Sequence, residues 1–95
     1  MNIKLIKLTT GEEVVAQLIG EQKDTLRIKN GLTMVFDGQS LRAIPFCVNI
    51  DDGTELDIDK GKVIFVTDPR KDLVEQYNQQ FSAIIQPPKG IVTQL

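Results

Sequence analysis

LTTGEEVVAQLIGEQKDTLRIKN, residues 8–30, is the stretch that decides the fold class. Within it, Leu26 and Ile28 alternate with polar side chains, which is the pattern of a β-strand with one buried face. Residues 14–19 also alternate, but their second face is partly apolar, so something other than water should cover that face. The polar connector 21–24 joins the two segments. The stretch therefore predicts two consecutive strands in a mainly β protein.

The preceding segment, MNIKLIKL, predicts a further strand. Its apolar residues fall at positions 3, 5, 6 and 8, an alternation that slips phase once, as a β-bulge would produce. Lys4 and Lys7 interrupt each apolar run, so we expect neither a signal peptide nor a membrane span here. Because Cys47 is the one cysteine, no intrachain disulfide can form, which is typical of a reducing compartment. We expect a cytoplasmic protein.

The dipeptide Asn30-Gly31 leaves two interpretations open. It is a strong hairpin signal, because both residue types tolerate the backbone angles of a tight turn. Yet the apolar positions 32, 34 and 36 keep the parity of positions 26 and 28 across it. A sharp bend within one long strand would preserve that parity, whereas a hairpin would not need to.

Three segments downstream predict the rest of the sheet. Residues 41–50 predict a fourth strand, which is interrupted where Pro45 has no amide hydrogen to donate. The acid-rich residues 51–59 predict a solvated turn and an outward-facing acidic strand, because their spacing does not match a calcium loop. Val63, Ile64, Phe65 and Val66 are apolar on both faces, so this last strand should be central in the sheet or shared with a neighbouring subunit.

One amphipathic helix should follow the strands. Asp68 is a good N-cap and Pro69 a good first helical residue, so we predict a helix over residues 68–85. Its apolar face should cap the sheet and comprises Leu73, Val74, Tyr77, Phe81 and Ile84. Residues 86–95 should form an extended tail with an apolar tip. Residues 1–67, the helix and the tail then make up a single domain.

The composition argues against catalysis. The 95 residues include no histidine, which removes the commonest general base and the commonest metal ligand. No phosphate-binding loop or nucleophile motif is present, and Cys47 is interpreted as a small core residue. We therefore expect no enzyme activity, cofactor, metal or small-molecule substrate. The net charge of -2 means that any nucleic-acid contact needs a local basic patch.

Two stretches resemble the motifs of the Sm-like ring proteins. Residues 8–30 resemble the first Sm motif, and LDIDKGKVIFV, residues 56–66, is similar to the second. Thr10-Gly11-Glu12, Pro69 and the pair Tyr77-Asn78 look like the corresponding features of small phage and viral members. The resemblance implies a strongly bent barrel of five antiparallel strands with one helix, here C-terminal. It also implies a homo-oligomeric ring of about five to seven subunits, joined through the last two strands.

The resemblance also implies which residues would act. Single-stranded RNA would contact a pore-side surface, and the last strand would form the subunit interface. Residues 21–24 lack the aromatic residue of the family's RNA-binding rings, and Arg27 occupies the approximate position of its asparagine. We expect weak binding of RNA or a ribonucleoprotein, in phage-related RNA metabolism. The alternative is a protein-only adaptor ring that uses the acidic face near Asp57 and Asp59 or the tail. The candidate RNA-binding residues are Arg27, Asn30, Lys60, Gly61 and Lys62, and the candidate interface residues are Val63, Ile64, Phe65 and Val66.

Overall fold

The computed structural model describes residues 2–85, with the side chains of residues 2–81. It contains one antiparallel sheet of six strands and one C-terminal helix. The hydrogen-bonded strand order is β4-β3-β2-β1-β6, and β5 pairs with the first part of β3. The elements are β1 Ile3–Leu8, β2 Glu13–Glu21, β3 Thr25–Phe36, β4 Leu41–Pro45, β5 Leu56–Asp59, a short 3-10 turn Lys60–Lys62, β6 Val63–Thr67 and α1 Lys71–Ile85.

The strand β3 is continuous through Asn30-Gly31, so the bend is confirmed and the hairpin is not. Its first part pairs with β5 and its second part with β4. Asn30 has a φ of 54°, a left-handed conformation that asparagine tolerates better than most residues. The Tyr77 hydroxyl donates a 2.8 Å hydrogen bond to the Asn30 carbonyl, so α1 fastens the bend.

The sheet buries apolar side chains on both faces. On the first face, residues from β1, β2 and β3 meet others from β5 and β6, including Ile6, Val14 and Ile28. On the second face, Val15 packs in one cluster with Tyr77 and Phe81 of α1. The helix is therefore the cover that the apolar second face of β2 predicted, and it packs through the expected amphipathic side. The predicted packing of Ile84 lies outside the described side chains, and the predicted tail 86–95 lies outside the described residues.

The helix begins later than predicted. Asp68 was expected to cap it, but the Asp68 carboxylate pairs with the Lys4 ammonium of β1 instead. The first helical hydrogen bond runs from the Val74 amide to the Arg70 carbonyl at 3.0 Å, so α1 begins at Lys71. The prediction of Pro69 as the first helical residue was therefore wrong.

The predicted fourth strand is also shorter than expected. Pairing stops at Pro45, which ends β4, and β5 begins only at Leu56. Both pieces pair with β3, so they can be counted as two parts of one interrupted strand. The Sm-like resemblance implied five strands, and this interruption explains why the described sheet has six. Within the described residues, β6 pairs with β1 alone and lies at the edge of the sheet. Of the two predicted alternatives, the central position was therefore wrong, and sharing with a neighbouring subunit stays a prediction.

Candidate functional site

Four of the five candidate RNA-binding residues lie in one part of the fold. The Lys60 amide donates a 2.8 Å hydrogen bond to the Asp24 carbonyl, which holds the 3-10 turn against the β2–β3 connection. Arg27 follows on β3, directly opposite Asp57 of β5. We call this region, comprising residues 21–27 and 55–62, the charged corner. It includes Arg27, Lys60, Gly61 and Lys62.

Arg27 is engaged by carboxylates in the charged corner. Its Nε lies 2.9 Å from Asp57 Oδ1 and its Nη2 3.2 Å from Asp57 Oδ2, a two-point ion pair. Glu55 lies 3.9 Å from Nη1. The hydrogen bonds that Arg27 donates to the Asp57 carboxylate raise the pKa of Arg27 and lower the pKa of Asp57. Because both side chains are exposed, this pair contributes little to stability but cancels the charge locally.

The two lysines of the 3-10 turn differ in their surroundings. Lys60 Nζ forms a 2.8 Å ion pair with Glu21, which lies at the end of β2. Lys62 is exposed and forms no ion pair with any described residue. Between them, the Gly61 amide donates a 2.8 Å hydrogen bond to the Asp59 carboxylate, which caps the turn. The corner thus presents two ammonium groups that form no ion pair with a described residue, those of Lys23 and Lys62, among several carboxylates.

Asn30 does not share this site. Its side-chain oxygen accepts a 3.1 Å hydrogen bond from the Gly53 amide, and its carbonyl accepts the bond from Tyr77. Both contacts stabilise the bend of β3 and the loop that precedes β5. Asn30 thus lies outside the charged corner, and its positive φ and both contacts belong to the bend.

The predicted interface residues form an exposed apolar edge. On β6 the exposed fractions are 59% for Ile64, 46% for Phe65 and 38% for Val66, whereas Val63 packs partly against the core. A second exposed apolar surface lies on the β3–β4 edge, which the sequence analysis did not single out. It comprises Val35, Phe36, Leu41 and Ile44. Among the described residues, neither β4 nor β6 has a partner on its outer side.

A cleft of about 230 Å³ was also missed by the sequence analysis. It lies between the bend of β3, residues 45–54 and the last described part of α1. Gly31 stands beside it, where an added Cβ would come within 3.2 Å of the Phe46 Cβ. Only a glycine in the middle of an alternating strand hints at such a close approach. Within residues 2–85 no cluster of three or more metal-ligating side chains exists, and no helix is long and apolar enough to cross a membrane.

No protein-family model matches this sequence, and no curated protein matches it. The features that bear on function are therefore those of the chain itself. Among the described residues they include two exposed apolar sheet edges, a corner of mostly paired charges and the cleft beside the bend of β3.

Proposed function

We propose that this protein is an Sm-like assembly module whose subunits join edge to edge into a closed ring. The observation that carries the proposal is the pair of unpartnered sheet edges, both lined by exposed apolar side chains. Unpaired edge strands offer backbone donors and acceptors to another chain, and soluble proteins usually protect them with charges or prolines. The strand β6 contains neither a charged residue nor a proline, whereas β4 contains Arg42 and ends at Pro45. On both edges a large apolar side chain, Ile64 on β6 and Leu41 on β4, is more than half exposed.

The arrangement of the edges favours a ring over a symmetric dimer. The β6 edge and the β4 edge are different surfaces on opposite ends of the strand order. Contact between two different surfaces is head-to-tail, and it generates a ring when the rotation between subunits closes. Three features agree with the bent small barrel that the Sm-like resemblance implies. The strand β3 bends at Asn30, its two parts pair with different strands, and one apolar cluster joins β1, β2, β3, β5 and β6.

A matched pair of substitutions tests the role of β6. Ile64→Lys places a charge on the edge strand, whereas Ile19→Lys places one on β2, which has neighbours on both sides. Both isoleucines are exposed, so neither change opens a core cavity. We expect sedimentation velocity to give a smaller species for Ile64→Lys and an unchanged species for Ile19→Lys. Assembly of the Ile64→Lys variant to the full size would contradict the proposal.

Mixing two blocked variants tests the head-to-tail geometry. Leu41→Lys should block the β4 edge, as Ile64→Lys blocks the β6 edge. Each variant keeps one intact edge, so each alone should be monomeric, and an equimolar mixture should form heterodimers and nothing larger. If the contact joined two copies of the same edge, one of the variants alone would still form a homodimer.

Weak binding of single-stranded RNA at the charged corner is the second candidate function. The exposed Lys62, which has no acidic partner among the described residues, favours it. Ion pairs between exposed side chains contribute about 0–1 kcal/mol, so a phosphate can replace the carboxylates at Arg27 and Lys60 at small cost. The neighbouring acids Asp57 and Asp59 oppose it and favour the alternative, a ring that binds only protein.

RNA binding is tested by the salt dependence of fluorescence-anisotropy titrations with short U-rich and A-rich strands. Replacing Lys60 and Lys62 by alanine should weaken binding and flatten the logarithmic salt slope by about 0.7 for each lost phosphate contact. Lys71→Ala, an exposed lysine on α1, is the control and should change neither quantity. Asp57→Asn should tighten binding because it releases Arg27. Equal salt slopes for all variants would contradict RNA binding at the charged corner and would favour the ring that binds only protein.

A further inference from the structure

The cleft beside the bend of β3 has the properties of a site for aliphatic side chains. Ile28, Leu32, Phe46, Ile50 and Phe81 contribute its apolar lining. A cavity of about 150 Å³ lined by aliphatic side chains accommodates benzene, so 230 Å³ provides room for one or two aliphatic side chains. Ile50 remains 38% exposed, so the lining is not fully covered by the described residues.

We propose that the C-terminal segment of the same chain, residues 91–95, docks into this cleft. The sequence IVTQL offers three aliphatic side chains, Ile91, Val92 and Leu95. Phe81 lines the cleft, and the described helix ends at Ile85, about 6 Å further along its axis.

The connecting chain is long enough to return to the cleft. The six residues from Ile85 to Ile91 span up to about 20 Å when extended, more than three times the distance that the helix end adds. Pro87 and Pro88 cannot continue the hydrogen-bonding pattern of a helix, so the chain can leave the helix axis at this point.

The charges at the rim favour the same occupant. The charged residues of the lining are Asp51, Asp52 and Lys29, so the acids outnumber the one cation. None of the three forms an ion pair with a described residue. Lys89 is the one charged side chain of the last ten residues, and it lies two residues before Ile91. A tail that enters the cleft with Ile91 therefore brings a cation to an acidic rim. Because the tail is tethered, its effective concentration at the cleft is in the millimolar range, so a modest affinity suffices.

Cys47 reports directly on occupancy, because it lines the cleft and is half-buried. The full-length chain should react with iodoacetamide, a small neutral reagent, about tenfold more slowly than the variant Ile91→Asp/Val92→Asp. The matched control Thr93→Asp/Gln94→Asp adds the same charge and keeps the aliphatic side chains, so it should stay protected. Equal reaction rates for all three proteins would overturn the proposal.

A disulfide test identifies whose tail is bound. Ile91→Cys creates a chain with two cysteines, and mild oxidation should join residue 91 to Cys47 within one chain, giving a cross-linked monomer on non-reducing gels. Cross-linked dimers, or protection of Cys47 that disappears on dilution, would overturn docking within the chain and identify a neighbour's tail instead. Far-UV circular dichroism and sedimentation of each variant separate a loss of docking from a loss of fold or of assembly.

Discussion

Gly31→Ala should destabilise the protein although the change adds a single methyl group. The new Cβ would lie 3.2 Å from the Phe46 Cβ and 3.3 Å from the Val14 Cγ1, closer than the 3.5–4.0 Å at which carbon atoms attract best. Neither neighbour yields easily. The Phe46 amide is fixed by a 2.9 Å hydrogen bond to the Gly31 carbonyl, and Val14 is fully buried.

The expected size follows from two opposing effects. Overpacking a rigid site costs about 1–3 kcal/mol. Replacing glycine also restricts the unfolded chain, which stabilises by about 0.4–1 kcal/mol where the backbone is compatible, and Gly31 has no positive φ. We therefore expect a net loss of about 1–2 kcal/mol. The melting temperature would fall by about 4–8 °C per kcal/mol for a domain of this size.

Gly20→Ala is the matched control, because Gly20 also lies within a strand and also lacks a positive φ. Its added Cβ would meet the Arg27 Cβ at 3.7 Å, an ordinary contact, so the change should be neutral or slightly stabilising. Urea unfolding followed by far-UV circular dichroism, at one protomer concentration, measures both variants. If Gly31→Ala proved as stable as Gly20→Ala, the tight packing of Phe46 against the bend would be refuted.

Three further predictions concern the hydroxyl of Tyr77 and the exposed ion pair. Tyr77→Phe should lower the free energy of unfolding by about 1–2 kcal/mol, because the Asn30 carbonyl loses its 2.8 Å partner; urea unfolding would measure this. Burial raises the pKa of Tyr77 to about 12. The stabilisation that the protonated hydroxyl provides is therefore complete below pH 10 and is lost between pH 10 and 12. The free energy of unfolding should fall over this pH range in the natural sequence, and this fall should be absent in Tyr77→Phe. Arg27 lowers the pKa of Asp57, so the pair stabilises above pH 3.8 and its contribution is lost as the pH falls through the lowered value. An NMR titration should show the Asp57 pKa rising towards 3.8 in Arg27→Gln, and an unchanged value would contradict the ion pair.

The sequence predicted the features that depend on local periodicity. Alternation at Leu26 and Ile28 indicated a half-buried strand, and both side chains are buried. Helical spacing identified Tyr77 and Phe81 as the packed side of α1, which the structure confirms. These predictions succeed because burial of one face repeats every two residues in a strand and every three or four in a helix.

The errors arose where distant residues competed with local signals. Asp68 has the chemistry of an N-cap, but Lys4, 64 positions away, binds its carboxylate. At Asn30, turn chemistry and parity conflicted, and the contact with Tyr77 from α1 supports the bend. The partners of the basic residues were equally hidden, since Asp57 reaches Arg27 only through strand pairing that no local pattern specifies. Charge cancellation in the corner could therefore not be read from composition.

The native mass of the purified protein, measured by light scattering over a range of concentrations, tests the central claim most directly. A closed ring of five to seven chains of 10.6 kDa predicts one species of about 53–74 kDa whose mass stays constant over that range. A species of 10.6 kDa at every concentration would contradict edge-to-edge assembly. A mass that rises continuously with concentration would contradict closure of the ring.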